Sequence, residues 1–116
     1  MLGLREKGLP GDAIRLADET YKELLGCDVE ELAILPVPDF VELIRKAGYT
    51  STYLEALAKL SYETASSYQA IGNSEFATNF FGKTLQIYYL LNEKDKTFSF
   101  EREMIIAELK QFDTDD

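Results

Sequence analysis

Between Tyr62 and Leu91 the chain reads YETASSYQAIGNSEFATNFFGKTLQIYYLL, and this stretch leaves few folds open. It contains two amphipathic helical patterns separated by a single Gly-Asn break. On the first helix Leu57, Ser61, Ala65 and Tyr68 recur at steps of three and four residues and therefore share one face. Gly72 follows where a left-handed residue ends a helix, a conformation that glycine takes without a Cβ clash. Asn73 or Ser74 is placed to cap the second helix, and Glu75 falls in its first turn, where negative charge meets the helix dipole favourably. Ala77, Phe81, Thr84, Leu85, Tyr88 and Leu91 then form a broad apolar stripe. Ala65 and Ala77 are small enough to let the two helices approach closely, and Tyr68 and Phe81 fill the space beside them. The predicted unit is an antiparallel helical hairpin with a very short loop.

The rest of the chain is read around that hairpin. Leu2–Gly8 looks like the tail of a helix without a beginning, and Gly8 to Asp12 reads as a breaker. Asp12 is expected to cap a helix running to Leu25, with Ala13, Ile14, Ala17, Tyr21 and Leu24 inward and Arg15, Asp18, Glu19, Lys22 and Glu23 outward. Gly26-Cys27 closes it. Asp28 and Glu31 stand at capping-box spacing and open a short helix over Asp28–Leu35 that Pro36 stops. Pro36-Val37-Pro38 is expected to be extended, because each proline disfavours helix in the residue before it. Asp39 and Glu42 repeat the capping spacing, Phe40, Val41, Ile44 and Ala47 make the next face, and Gly48 ends that helix. Thr52 and Glu55 give a third capping box and open the long helix that leads to Gly72. After Leu91 a polar turn, Asn92–Lys96, precedes a last helix capped by Thr97 or Ser99 and running to about Phe112. That helix has two apolar sides, Phe100, Met104 and Ala107 on one and Ile105, Leu109 and Phe112 on the other. One should pack on the hairpin; the other covers the short N-terminal helices or meets another chain. No strand pattern occurs, so the expected fold is all-α, with about five to six helices.

The order Ala65, Tyr68, Gly72, Ala77, Phe81, Leu85 resembles the tetratricopeptide repeat (TPR) in residue type and spacing. Ser61 stands where the repeat expects a large residue, Thr84 where it expects a small one and Tyr89 where it closes on proline, so the unit is TPR-like rather than consensus. Gly8 and Ala13 repeat the spacing of Gly72 and Ala77. The helix ending at Leu25 thus resembles the second helix of an earlier unit that has lost most of its first, as in a truncated chain or natural fragment. The whole arrangement is also similar to small bacterial TPR-like proteins. The resemblance implies one TPR-like helical domain over residues 1–116, lacking an N-terminal helix and built as a right-handed α-α array of hairpins. It implies protein or peptide binding on the inner face of the hairpin's first helix, here Lys59, Tyr62, Ser66 and Gln69. Tyr62 is the expected anchor, since a tyrosine offers apolar area and a hydroxyl at little entropic cost. The clamp for chaperone C-terminal carboxylates is not reproduced, because Ser66 stands where its Asn is expected and the lysine is isolated.

At 116 residues the chain is one domain, able to bury roughly 65% of its unfolded surface. Its formal net charge of -9 repels phosphate backbones, so neither nucleic acid nor an anionic membrane is an expected partner. No apolar run approaches a membrane span, the first residues are not a signal peptide, and a lone Cys27 forms no internal disulfide. A cytoplasmic setting fits these features. The chain has no His, which removes His-based acid–base chemistry and the usual zinc sites. Cys27 lacks a His partner, the glycines are not followed by the Lys and Ser/Thr of a phosphate loop, and Asp28, Glu30 and Glu31 are explained largely by capping. No catalytic set, cofactor or metal site is therefore expected. The expected function is a non-catalytic protein–protein interaction module, an adaptor or assembly scaffold. The alternatives are a structural homodimerisation domain and, third, a small-ligand binder or an enzyme using carboxylates. Repeat arrays bury a continuous core by stacking, and both ends here lack a neighbour. Tyr21 and Leu24 at one end, and Ile105, Leu109 and Phe112 or Phe100 and Met104 at the other, are the residues expected to meet a second copy in a homodimer.

Overall fold

The computed structural model describes residues 10–94 and 99–112. These form six α-helices, α1 (Pro10–Leu25), α2 (Val29–Ile34), α3 (Val37–Ala47), α4 (Ser51–Ala70), α5 (Ser74–Lys94) and α6 (Phe100–Leu109), followed by a 3-10 turn over Lys110–Phe112. Strands are absent among the described residues. The expected helical tail at Leu2–Gly8 lies outside them, as do Thr97 and the last four residues.

α4 and α5 form the hairpin, and the rest of the chain is arranged about α5. α1 packs on α4, while α2, α3, α6 and the 3-10 turn all pack on α5. α5 is therefore enclosed around most of its circumference: Phe80, Lys83, Ile87 and Leu90 are buried together with the predicted stripe of Ala77, Phe81, Thr84, Leu85, Tyr88 and Leu91. A helix that is apolar around most of its circumference has this central place open to it. On α4 the predicted face, Leu57, Ser61, Ala65 and Tyr68, is buried against it. Gly82 sits mid-helix, where glycine costs about 1 kcal/mol relative to alanine. The packing explains it, because a Cβ there would lie 3.4 Å from the Phe112 carbonyl oxygen and 3.8 Å from Val37.

Aromatic rings join the layers. Phe80 stacks with Tyr21 of α1 at 6.0 Å and with Tyr68 of α4 at 5.9 Å between centroids. Phe81 meets Tyr62 edge-on at 5.6 Å and stacks on Phe112 at 4.6 Å. The Tyr21 hydroxyl lies 3.0 Å from Thr64 Oγ1, so its polar tip is satisfied inside the core.

Most predicted helix ends are where the sequence puts them. Gly26, Gly48 and Gly72 all have positive φ, Gly72 at +86°. The Asp28/Glu31 capping box is formed on both sides, Asn73 Oδ1 accepts from Phe76 N, and Ser99 Oγ accepts from Arg102 N. Three starts are corrected. α1 begins at Pro10 and runs through Gly11, so Asp12 is not the cap; it lies in the first turn and pairs with Arg15. Proline is compatible with a first turn because the missing N–H has no partner there in any case. The same reason shifts α3: Pro36 is its N-cap, Val37 and Pro38 are helical, and Asp39 is a first-turn residue rather than the cap. α4 is capped by Thr50, which accepts from Tyr53 N, and Thr52 is already inside the helix. The left-handed Gly48 leaves only Tyr49 before that cap.

Candidate functional site

α4 and α6 both pack on α5, and a groove of about 450 Å³ runs between them. Glu55, Lys59, Tyr62 and Glu63 supply its α4 wall. Ser99, Glu101, Arg102 and Ile105 supply the other wall, and Tyr88 of α5 lies at the base. The spacing of α4 explains its wall: Glu55, Lys59 and Glu63 follow at steps of four and Tyr62 lies three beyond Lys59, so all four fall on one side of the helix. Tyr62 is half-buried and its ring stands nearly perpendicular to that of Phe81, so its orientation is fixed by the core. On the opposite wall Arg102 is buried and its Nη1 donates to Asn92 Oδ1 at 3.1 Å. Burial, with a smaller contribution from Glu55, pushes the Tyr88 hydroxyl above its ordinary pKa, while Arg102 acts in the other direction. The accessible rim charges are Glu55, Glu63 and Glu101 against Lys59.

Of the four residues expected to hold a partner, Lys59 and Tyr62 line this groove. Ser66 and Gln69 continue the same α4 face beyond it, the first half-buried and the second exposed. The residues expected to meet a second copy are scattered. Tyr21 and Leu109 are each 1% exposed and belong to the chain's own core. The premise that α1 lacks a hairpin neighbour is thereby corrected, since α1 lies against α4 and buries Ala17 and Tyr21 there. Leu24, Ile105 and Phe112 are half-buried: the Leu24 carbonyl accepts from the Tyr49 hydroxyl at 2.6 Å, Ile105 is in the groove wall, and Phe112 stacks on Phe81. The open apolar side of α6 is the other one, with Phe100 70% and Met104 59% exposed. That side does not cover the short N-terminal helices, because α2 and α3 pack on α5 without it.

The sequence reading passed over two buried charged residues, Arg102 in the groove wall and Lys83 in the core. Lys83 of α5 is fully enclosed. Its ammonium donates to the Leu35 carbonyl oxygen at 2.6 Å and to Asn79 Oδ1. It also lies 5.5 Å from the centre of the Phe40 ring and 5.7 Å from that of Phe80, within cation–π range. Burial lowers its pKa to about 8. The signal was a single lysine inside the run Phe80-Phe81-Gly82-Lys83-Thr84-Leu85 of a helix apolar around most of its circumference. Lys83 is a joint between α2, α3 and α5, away from the groove. Cys27 is half-buried, and burial raises its pKa, which disfavours the reactive thiolate. Among the described residues no cluster of acidic or thiol side chains is arranged to hold a metal ion. Nor is any helix among them long and apolar enough to cross a membrane. No protein-family model, curated protein or solved structure matches this chain.

Proposed function

We propose that this chain is a non-catalytic protein–protein interaction module, an adaptor or assembly scaffold. On this reading it is one TPR-like domain, a right-handed array of hairpins in which α4 and α5 are the complete unit and α1 is the second helix of a preceding one. The observation that carries the reading is the groove between α4 and α6, with Lys59 and Tyr62 on its wall and the aromatic base of Tyr88 beneath. Its volume of about 450 Å³ lies within the roughly 300–1,000 Å³ typical of binding sites. A tyrosine braced by a core ring loses little entropy when a partner covers it. The test blocks the groove without touching the core. Lys59 is exposed, and Lys59→Trp places a bulky ring in the opening. Wild type and this variant are used to capture proteins from an extract of the source cells. Proteins held by wild type and lost from the variant support the reading; an identical captured set from both rejects it.

A second reading, a structural homodimer, rests on Phe100 and Met104, exposed one turn apart on α6. A two-fold contact there would be isologous and would need to bury more than roughly 1,000 Å².

A further inference from the structure

α2 is the least self-sufficient element of the fold. It is six residues long and buries only Val29, Leu32 and Ala33, against α1 and α5. Its other residues, Glu30, Glu31 and Ile34, are exposed. The left-handed Gly26 precedes it and Pro36 follows it, so the chain is bent at both of its ends. A helix of that length has no stability of its own.

One distant side chain holds each end. Asp18 Oδ1 of α1 accepts from Val29 N at 2.8 Å, and Lys83 Nζ of α5 donates to the Leu35 carbonyl oxygen at 2.6 Å. The two ties are unlike. Asp18 is partly exposed, whereas Lys83 is fully enclosed. What faces its ammonium is neutral from every element around it: the Leu35 carbonyl from α2, the Phe40 ring from α3, and Asn79 Oδ1 and the Phe80 ring from α5. Its pKa is lowered by burial, and no charged side chain among the described residues adds to that shift. A buried cation among neutral partners is drawn toward water. α2 supplies one of its two oxygen partners, so release of α2 is the smallest movement that takes a partner away and lets water in.

We propose that α2 is a latch that leaves α5 as a unit while the α4–α5 hairpin stays folded, with Lys83 as its catch. Local openings of this kind come from the parts of a fold with the fewest buried apolar contacts. The opening is linked to a proton. The closed form holds the Lys83 proton with a pKa of about 8, against 10.5 for a lysine in water. Opening therefore takes up a proton between those values, and the closed form gains as pH rises through that window. Below about 8 the lysine is charged in both forms and the latch is at its loosest.

The test is hydrogen exchange with rapid mixing and quench, read by mass spectrometry on peptides from α2 and from the middle of α5. Rates at each pH are divided by the intrinsic rates of unprotected amides, which leaves the opening equilibrium. Cys27 borders α2, and burial raises its thiol, so its release would act with the opposite sign; Cys27→Ser is made in every protein. Lys22, raised by its hydrogen bond to Asp18, and Tyr68, raised by burial, titrate above the range used. α2 is expected to be less protected than α5. Low urea should hardly change its opening while increasing that of α5, because a local opening exposes little surface. From about pH 7 to about pH 9 the opening of α2 should fall about tenfold. Lys83→Met should abolish that pH dependence. Equal protection and equal urea response in α2 and α5 would overturn the proposal, since α2 would then open only with the whole fold. Separate opening of α2 without a pH dependence would overturn it too, because Lys83 would stay covered. So would a pH dependence that survives in Lys83→Met.

Discussion

Lys83 shows how much one buried side chain can make stability depend on pH. Among the described residues its hydrogen-bond partners are neutral, a carbonyl oxygen and an amide oxygen, so the cost of burying its charge is only partly offset. Its amine loses the proton at about 8 in the folded chain, against 10.5 for an unburied lysine. Below about 8 both states are protonated. Between about 8 and 10.5 the unfolded chain binds more protons, so stability rises with pH across that window. The upper end is obscured by Tyr21, whose burial raises its pKa and withdraws stability once unfolded tyrosines ionise above about 10. From pH 7 to about 9.5 urea denaturation should therefore show a gain on the order of 1–2 kcal/mol from Lys83. Lys83→Met should remove that pH-dependent gain; a variant that keeps it would place the titration elsewhere. Phe81 is the second residue with a large expected effect. It is buried, packed T-shaped with the Tyr62 ring and stacked with that of Phe112. Phe81→Ala should cost ~3–5 kcal/mol in urea denaturation and loosen the Tyr62 wall of the groove. A midpoint shift worth under ~1 kcal/mol would contradict that packing.

The elements are held by their ends as much as by their faces. α2 has only six residues, too short to persist alone, and is fixed by contacts at both termini. Asp18 of α1 accepts from Val29 N at 2.8 Å, and that bond, ahead of the Lys22 ammonium, keeps its carboxyl below the usual aspartate range. At the other end the Lys83 ammonium takes the Leu35 carbonyl, so α2 is tied to α1 and α5 by side chains far from it in sequence. The hairpin turn depends on Gly72. Its φ is +86°, and a Cβ there would meet nothing within 4 Å. Any penalty for replacement is therefore backbone strain rather than a clash with neighbours. Gly72→Val should destabilise more than Gly72→Ala, because a β-branched side chain is least compatible with a left-handed residue. Thermal melts in which both variants match wild type would show that the turn can be rebuilt without that conformation.

At the scale of the whole molecule, the core is one continuous cluster from Ala17 to Leu109 with α5 at its centre. This closes off Tyr21 and Leu109 as contacts for a second copy and moves the dimer question to Phe100 and Met104. If the homodimer reading holds, sedimentation equilibrium at about 0.15 M salt, where the Debye length is about 8 Å, should give a concentration-dependent dimer. Charge placed at Met104, as Met104→Glu, should dissociate it, while Leu16→Glu, at another exposed apolar position, should not. A monomer at all concentrations would set that reading aside and leave the groove as the sole contact proposed.

The sequence by itself determined the helices and most of their ends. Three-to-four periodicity, left-handed glycines and the Asp28/Glu31 box are written in residues close along the chain, and local geometry needs nothing else to act on them. The same proximity made Asp12, Asp39 and Thr52 persuasive as caps. They were displaced because Pro10 and Pro36-Val37-Pro38 fit first turns and Thr50 offers an earlier hydroxyl. Lys59 and Tyr62 could be placed on one exposed helix side from their spacing alone. Only the tertiary structure decided what faces them, since the other wall, Glu101 and Ile105, is some forty residues away and its position depends on how α6 settles on α5. It also decided that Lys83 is inside and Phe100 outside. Burial is a property of what packs around a residue, and a helix packed around most of its circumference hides a lysine as readily as a phenylalanine when the lysine's donors find oxygens there.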